Sequence, residues 1–436
     1  MTKFILASTA LLLTTLLAVQ VAAPTFLASA GGVTAIDLLA ASPAERDYAK
    51  DVAVFAGTGS HGAADGHMAQ FNMPLGLAAL GDGYILVADS FNNLIRKVDK
   101  NGYATTLAGS LQGPDSHSFP QGGYHDDYAL LSLFYRPTGL AINSEGWIFI
   151  ADMYNHAIRV IIEGEVYTFA GGLGMGYENG YYALFNRPGA IAFDENGYLF
   201  VADTGNHVIR KISPDGYAST VAGTAGVFGF LDGKPGEALF DSPMGLAFSE
   251  EGVLFIADAG NNLIRKLQGG EVSTFAGNVA HMSSSASGQA ADMQPGAVDV
   301  GQPGSGNVGR HASEFIGQSV ALNVGLYDDE FFTGGFADGA AYEAMFNHPI
   351  GLAFWQGLLF VADSQNHSIR IVDNEGNVST LAGTGYPDHI SGSFDEAAFH
   401  FPAGIIIVVN RLFVADMGNN MIRVIELENK STGGAF

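Results

Sequence analysis

Six aspartates stand seven residues ahead of six arginines, at Asp89/Arg96, Asp152/Arg159, Asp203/Arg210, Asp258/Arg265, Asp363/Arg370 and Asp416/Arg423. A ring of such pairs has the makings of an ion or substrate site. Repetition through six units argues instead for a scaffold, in which charge pairs or turn bonds fix each unit. Histidines follow in three of the units (His156, His207 and His367), and imidazole is a common metal ligand. Asn93, Asn262 and Asn420 hold the same place in the other three. A turn hydrogen bond explains both residue types, so no metal ligand is assigned. Asp194 to Gly197 and Asp373 to Gly376 mimic pieces of calcium loops but lack the remaining spaced ligands, and read as hairpin turns. The glycine-rich run from Gly171 to Gly176 opens no helix and so offers no phosphate cradle. No catalytic residue and no cofactor is assigned.

Composition narrows the classes that remain. The chain has 436 residues, 47% hydrophobic, with 58 glycines and no cysteine. Disulfide scaffolds, thiolate metal sites and cysteine nucleophiles are therefore excluded. A net charge of −25 disfavours nucleic acid or an anionic membrane surface as a general partner. Lys3, the apolar run from Phe4 to about Ala23 and the small residues Ala28-Ser29-Ala30 read as a cleavable export signal over 1–30, followed by a linker over 31–50. An uncleaved anchor is the rival reading, since the run approaches the ~20 residues that span a bilayer. With the signal removed, no transmembrane segment is expected. An acidic, cysteine-free exported chain suits a bacterial extracellular or periplasmic setting.

The elements that must carry the Asp–Arg pairs repeat with them. An eleven-residue unit recurs six times, as VADSFNNLIRK (87–97), IADMYNHAIRV (150–160), VADTGNHVIRK (201–211), IADAGNNLIRK (256–266), VADSQNHSIRI (361–371) and VADMGNNMIRV (414–424). A Phe-x-x-Pro unit precedes each one, and a Thr-x-Ala-Gly type strand closes five of them. Short β-rich runs joined by Gly- and Asn-bearing turns make an antiparallel meander of four strands. Units of about 50 residues built this way cannot cover both faces alone, which predicts a β-propeller.

The sixth unit has no closing strand of its own. The missing one stands at the other end of the fold, in Ala53 to Gly57. The sequence therefore predicts an all-β, six-bladed β-propeller of four-stranded antiparallel blades, spanning 51–430, with an N-terminal strand joining the last blade. A tail follows over 431–436.

These units resemble the NHL repeat family, named for an Asn-His-Leu core seen here as Asn155-His156, Asn206-His207 and Asn366-His367, with Asn-Asn in the other three units. Connections bearing Asp65-Gly66, Asp232-Gly233 and Asp338-Gly339 resemble those of exported bacterial members. The resemblance implies the propeller architecture, while a propeller hosts many functions.

Differences between the repeats point to a site. Just before the slot proline stand Met73, Arg136, Arg187, Ser242, His348 and Phe401. This position belongs on the rim near the mouth of the central channel, where Arg136, Arg187 and His348 would form a cationic spot suited to carboxylate or phosphate. The connection from Gly277 to Pro349 is 72 residues, against 17 to 28 elsewhere. Its 278–332 portion reads as a low-complexity insertion between blades 4 and 5, a disordered excursion or lid, with a decayed seventh blade as the alternative. The leading expectation is an exported, non-catalytic binding scaffold whose mouth takes a small ligand, glycan, cell-wall polymer or protein. The alternative is a propeller enzyme of lyase or lactonase type with a channel metal.

Overall fold

The computed structural model describes residues 51–114, 120–280 and 334–427. The expected export signal and linker over 1–50, the insertion from 281 to 332 and the tail lie outside the described residues. Among the described residues no helix is long and apolar enough to cross a membrane.

Six antiparallel sheets carry the six repeats. In blade 1 the strands run Pro74–Gly81, Tyr84–Asp89, Leu94–Val98 and Ala104–Ala108, from the axis outward. The slot proline opens every inner strand, a position where a missing N–H costs no ladder bond. The second strands are buried along their length, because neighbouring blades cover both faces, and their near-continuous Leu, Ile, Val, Phe and Ala follow from that. Each ends in the repeat aspartate. A three-residue 3-10 turn follows, closed by Asn93, His156, His207, Asn262, His367 or Asn420 in the left-handed conformation that Asn and His tolerate best among bulky residues.

The closure is as the sequence predicts. Asp51–Ala56 pairs with Met421–Glu426, Val52 opposite Ile425 and Val54 opposite Arg423. The last sheet differs in one respect, since a two-residue strand, Gly392–Ser393, adds a fifth member outside Asp51–Ala56. Single bridges mark the same place in the other blades, at Gly66–Ala104, Tyr128–Glu165, Gly180–Ala218, Gly233–Val272 and Gly339–Val378. The incoming connection thus touches each outer strand at one point and shortens its open edge.

Cores lie between blades, not within them. Ala247 and Phe255 of blade 4 share one cluster with Leu352 and Val361 of blade 5. These two blades pack directly on each other, which excludes a seventh between them. Around the axis the inner strands approach so closely that a Cβ at Gly76, Gly245, Gly351 or Gly404 would run into the carbonyl of Thr138, Ile350, Ala403 or Leu75 in the adjoining blade. Blade 3 alone has a side chain at this place, Ala190.

Candidate functional site

The Asp–Arg pairs are fully buried on both sides. Arg96 meets Asp89, Arg159 meets Asp152 and Arg265 meets Asp258, each at 2.7 Å. Arg210 meets Asp203 at 2.9 Å, Arg370 meets Asp363 at 2.6 Å and Arg423 meets Asp416 at 3.0 Å. Each aspartate also accepts the amide of the 3-10 turn asparagine on the same oxygen (for Asp89, Asn92 at 2.8 Å), while its other oxygen takes a backbone N–H two residues before the slot proline (for Asp89, Asn72 at 2.7 Å). Each arginine donates in addition to two carbonyls of the incoming connection, Gln70 and Ala64 in blade 1.

The one-to-one pairing read from the sequence needs correcting in four blades. Arg96, Arg159, Arg265 and Arg370 each hold a second carboxylate, from Asp65, Asp126, Asp232 and Asp338 in turn. These acids come from the incoming connection, 31 to 33 residues earlier, and reach the outer nitrogen that the repeat aspartate leaves free. Arg210 and Arg423 keep a single carboxylate, with Asn179 and Ser391 in the outer place. The arginines also explain the phenylalanine of Phe-x-x-Pro. Arg96, Arg159 and Arg265 lie 5.2 Å over the rings of Phe71, Phe134 and Phe240. Burial pushes all six repeat carboxyls up, to about 6, against the pull of arginine and amide donors. The bonds of these carboxylates are all met within the blade, so the pairs hold the incoming connection in place and offer a ligand nothing.

The Asn/His position does a different job from the turn bond expected of it. Its side chain reaches the next blade. Asn93 Oδ1 accepts the backbone N–H of Arg136, His156 Nδ1 that of Arg187, His207 Nδ1 that of Ser242, Asn262 Oδ1 that of His348, and His367 Nδ1 that of Phe401. Asn420 closes the circle on Met73 at 2.9 Å. Oδ1 of asparagine and Nδ1 of histidine present an acceptor at the same reach, which is why the two types interchange. An imidazole accepting at Nδ1, as in His156 and His367, has its lone pair there and its proton on Nε2. Burial accordingly holds His156 below its ordinary value and takes His367 down to about 4.

The six pre-proline residues stand one to a blade, each immediately before its inner strand. All have φ of 48–55°, a left-handed conformation that bulky residues rarely adopt. Met73 itself joins Leu75, Phe91, Met153, Met244, Ile350 and Met417 in a buried plug, with Tyr154 and Phe401 at its edge. Arg136 lies over the Phe91 ring, Cζ 3.3 Å from the centroid, and Arg187 lies 5.7 Å over Tyr154. Both guanidinium charges act on the Tyr154 phenol. Tyr135 packs on Tyr154 with ring centroids 5.1 Å apart and is 38% exposed.

Arg136 and Arg187 are thus brought together, on blades 2 and 3. His348 is not part of a cationic spot with them. It stands on blade 5 beside Asp241, and burial takes its imidazole down to about 4, leaving it neutral, with Nε2 buried and unpartnered. Phe91, Tyr135 and Tyr154 escaped the sequence reading. Their signal lay in the middle of the 3-10 turn, where Phe91 and Tyr154 of blades 1 and 2 oppose Gly205, Gly260 and Gly418 of blades 3, 4 and 6.

Behind the plug, the channel is walled by the inner strands around a space of about 600 Å³ that includes open solvent. Its lining is Leu, Ile, Met, Ala and Gly with Thr138, and holds no carboxylate or imidazole. Among the described residues no group of three His, Asp or Glu is placed to hold a metal ion. Asp194 and Asp373 bind their own turns, each Oδ1 accepting two backbone N–H groups at 2.8–3.0 Å.

The NHL repeat family model matches residues 134–161 and 346–372, within blades 2 and 5. Over 328 residues the chain is 32% identical to NHL repeat-containing protein 2 of Bos taurus, an alignment covering 65% of this chain and 45% of that protein. The chain thus spans about half the length of the curated relatives it matches. Among solved structures, a Bacteroides thetaiotaomicron protein of unknown function superposes with a TM-score of 0.57 at 16% identity, covering 88% of this chain and 77% of that one. A second protein of that organism, described as an auxiliary nutrient binding protein, gives a TM-score of 0.57 at 14% identity, covering 88% and 78%. These two likenesses are of the fold.

Proposed function

We propose that this NHL-type propeller is the binding module of an exported protein and performs no catalysis, taking its ligand at the rim and mouth of the central channel. The observation that carries this is the pairing of Arg136 and Arg187 against Phe91 and Tyr154, beside a channel wall with no charged group. The export part of the proposal rests on the pattern of residues 1–30. The partner class stays as wide as a small ligand, glycan, wall polymer or protein. A lyase or lactonase needs acidic or imidazole ligands converging in the channel, and the lining favours no such reading.

Hydrogen exchange of the full chain against a library of small acids and glycans tests this proposal. Protection on binding is expected at the amides of 135–136, 153–156 and 187. Protection confined to the opposite end of the channel, or a metal retained through dialysis and lost on mutating channel residues, would overturn it.

A further inference from the structure

Four of the six buried arginines are met on the outer side by an aspartate of the incoming connection, and blade 3 has Asn179 there instead. We propose that Asn179 is a modification site: its amide hydrolyses to a carboxylate without an enzyme, and the product supplies the second acid that Arg210 lacks. The bonds made at this place show what is missing. Asp65, Asp232 and Asp338 take the outer nitrogen of their arginine at 2.7, 2.6 and 2.7 Å. The same oxygen accepts the hydroxyl of Thr106, Thr274 and Thr380 at 3.1, 3.3 and 3.0 Å. In blades 2, 4 and 5 the other oxygen accepts a backbone N–H, from Thr168, Thr274 and Thr380, at 2.9–3.0 Å. Oδ1 of Asn179 repeats the first two bonds, to Arg210 at 2.9 Å and to the Thr220 hydroxyl at 3.3 Å. An amide has no second oxygen for the third, and its bond to the guanidinium lacks the charge assistance of the other four.

The next residue opens the route. Gly180 has a φ of 105°, which the turn requires and glycine supplies without strain. Having no side chain, it also leaves its backbone nitrogen unhindered beside the exposed Asn179. That nitrogen, once deprotonated, adds to Cγ of Asn179; Oδ1 takes up the negative charge and Nδ2 departs as ammonia, closing a succinimide. Water then adds to Cγ and breaks its bond to Gly180 N, which restores the main chain and leaves a carboxylate at position 179. In sum, one amide and one water become one carboxylate and one ammonium ion. Arg210 Nη2 donates to the oxygen on which charge develops. It therefore favours attack at Cγ over attack at the main-chain carbonyl, the path to isoaspartate. One restraint has to open first, since the Gly180 N–H donates to the Ala218 carbonyl at 2.8 Å. That contact is an isolated bridge beside exposed residues, the kind of bond that breaks by local opening.

The test ages the purified full chain in mildly alkaline buffer and maps its peptides by mass spectrometry, with fragmentation that separates aspartate from isoaspartate. Asn101-Gly102 and Asn196-Gly197, both exposed at their asparagine and set in hairpin turns, serve as internal standards. Position 179 is expected to convert with aspartate as its major product, whereas the two turns give the isoaspartate excess of a free Asn-Gly peptide. Asn179→Asp, made directly, is expected to melt about 1–3 °C above wild type. Added to Asp203→Asn, it is expected to restore part of the lost stability. A position 179 still unconverted after both turns have reacted overturns the proposal, as does isoaspartate as its main product. Asn179→Asp that melts at or below wild type, or that restores nothing to Asp203→Asn, overturns the second-carboxylate role.

Discussion

The backbone N–H of Phe401 donates to Nδ1 of His367 at 3.1 Å, across the boundary between the fifth and sixth blades. The bond exists only while that nitrogen carries a lone pair. Protonating the ring places an N–H against an N–H and breaks the latch.

Acid sensitivity of the latch is the first prediction. His367 has a folded-state value of about 4, below its ordinary 6.5, with burial the main cause and neighbouring His400 adding to it. A depressed imidazole contributes stability that is full above about 6.5 and is lost as the pH falls towards 4. The six buried aspartates, pushed up to about 6, act with the opposite sign over a similar window. The whole-protein curve mixes the two, so a variant isolates the latch. His367→Asn introduces the residue type that blades 1, 4 and 6 already use in this role, and keeps the acceptor without the titration. Its melting temperature is expected to fall less than wild type between pH 7 and pH 4; identical losses would rule the latch out as a titrating element.

The second prediction concerns the buried network. In blade 3, Arg210 has Asp203 as its one carboxylate partner, with Asn179 in the outer place. In blade 5, Arg370 has both Asp363 and Asp338. Asp203→Asn therefore strands a buried guanidinium and should cost about 3–5 kcal/mol, while Asp363→Asn costs less. Arg96, Arg159 and Arg265 have the same double pairing as Arg370, so Asp89→Asn, Asp152→Asn and Asp258→Asn should follow the milder case. Urea denaturation of the variants decides this, and an inverted order would show that the outer aspartates contribute nothing.

Packing at the axis gives the third. Gly76→Ala and Gly351→Ala drive a methyl group into the carbonyls of Thr138 and Ala403, at an expected cost of about 1–3 kcal/mol each. Ala190→Gly, at the one place where the ring already admits a side chain, should cost under about 1 kcal/mol. Equal effects at all three positions would mean the inner strands shift freely.

The fourth concerns closure. Removing residues through Gly57 deletes the strand that covers Met421–Glu426 and takes Val52, which is 1% exposed, out of the core shared by blades 5 and 6. Such a chain should melt well below the full chain. Coincident melting curves would show that the ring does not depend on this strand.

Blade number, strand order and closure were all legible in the sequence, because each depends on a period and a missing unit that one chain displays against itself. The Asp–Arg pairs were legible as a scaffold for the same reason. Their second carboxylates were not, because Asp65 and Arg96 stand 31 residues apart and Asp126 and Arg159 stand 33 apart, with no fixed spacing to mark them. The destination of the Asn/His side chains was hidden too, since Phe401 and His367 are 34 residues apart and meet only once two blades stand side by side. The charge of His348 was concealed in another way. A residue type fixes what a group can carry, whereas burial beside Asp241 decides what it does carry. Arg136 and Arg187 could be placed near each other from their register in the repeat. Their aromatic bed, Phe91 and Tyr154, required the fold of a turn to bring it underneath.

The strand that closes the ring also sets how it responds to force. Val52 lies opposite Ile425 in an antiparallel pair, so the chain enters this sheet beside the place where it leaves. A load drawn through residues 51 and 426 therefore peels the pair open from that end, one hydrogen bond after another, instead of shearing all of them together. The seam is strong against heat, where the whole sheet must be lost cooperatively, and weak against traction, where it behaves as a zip.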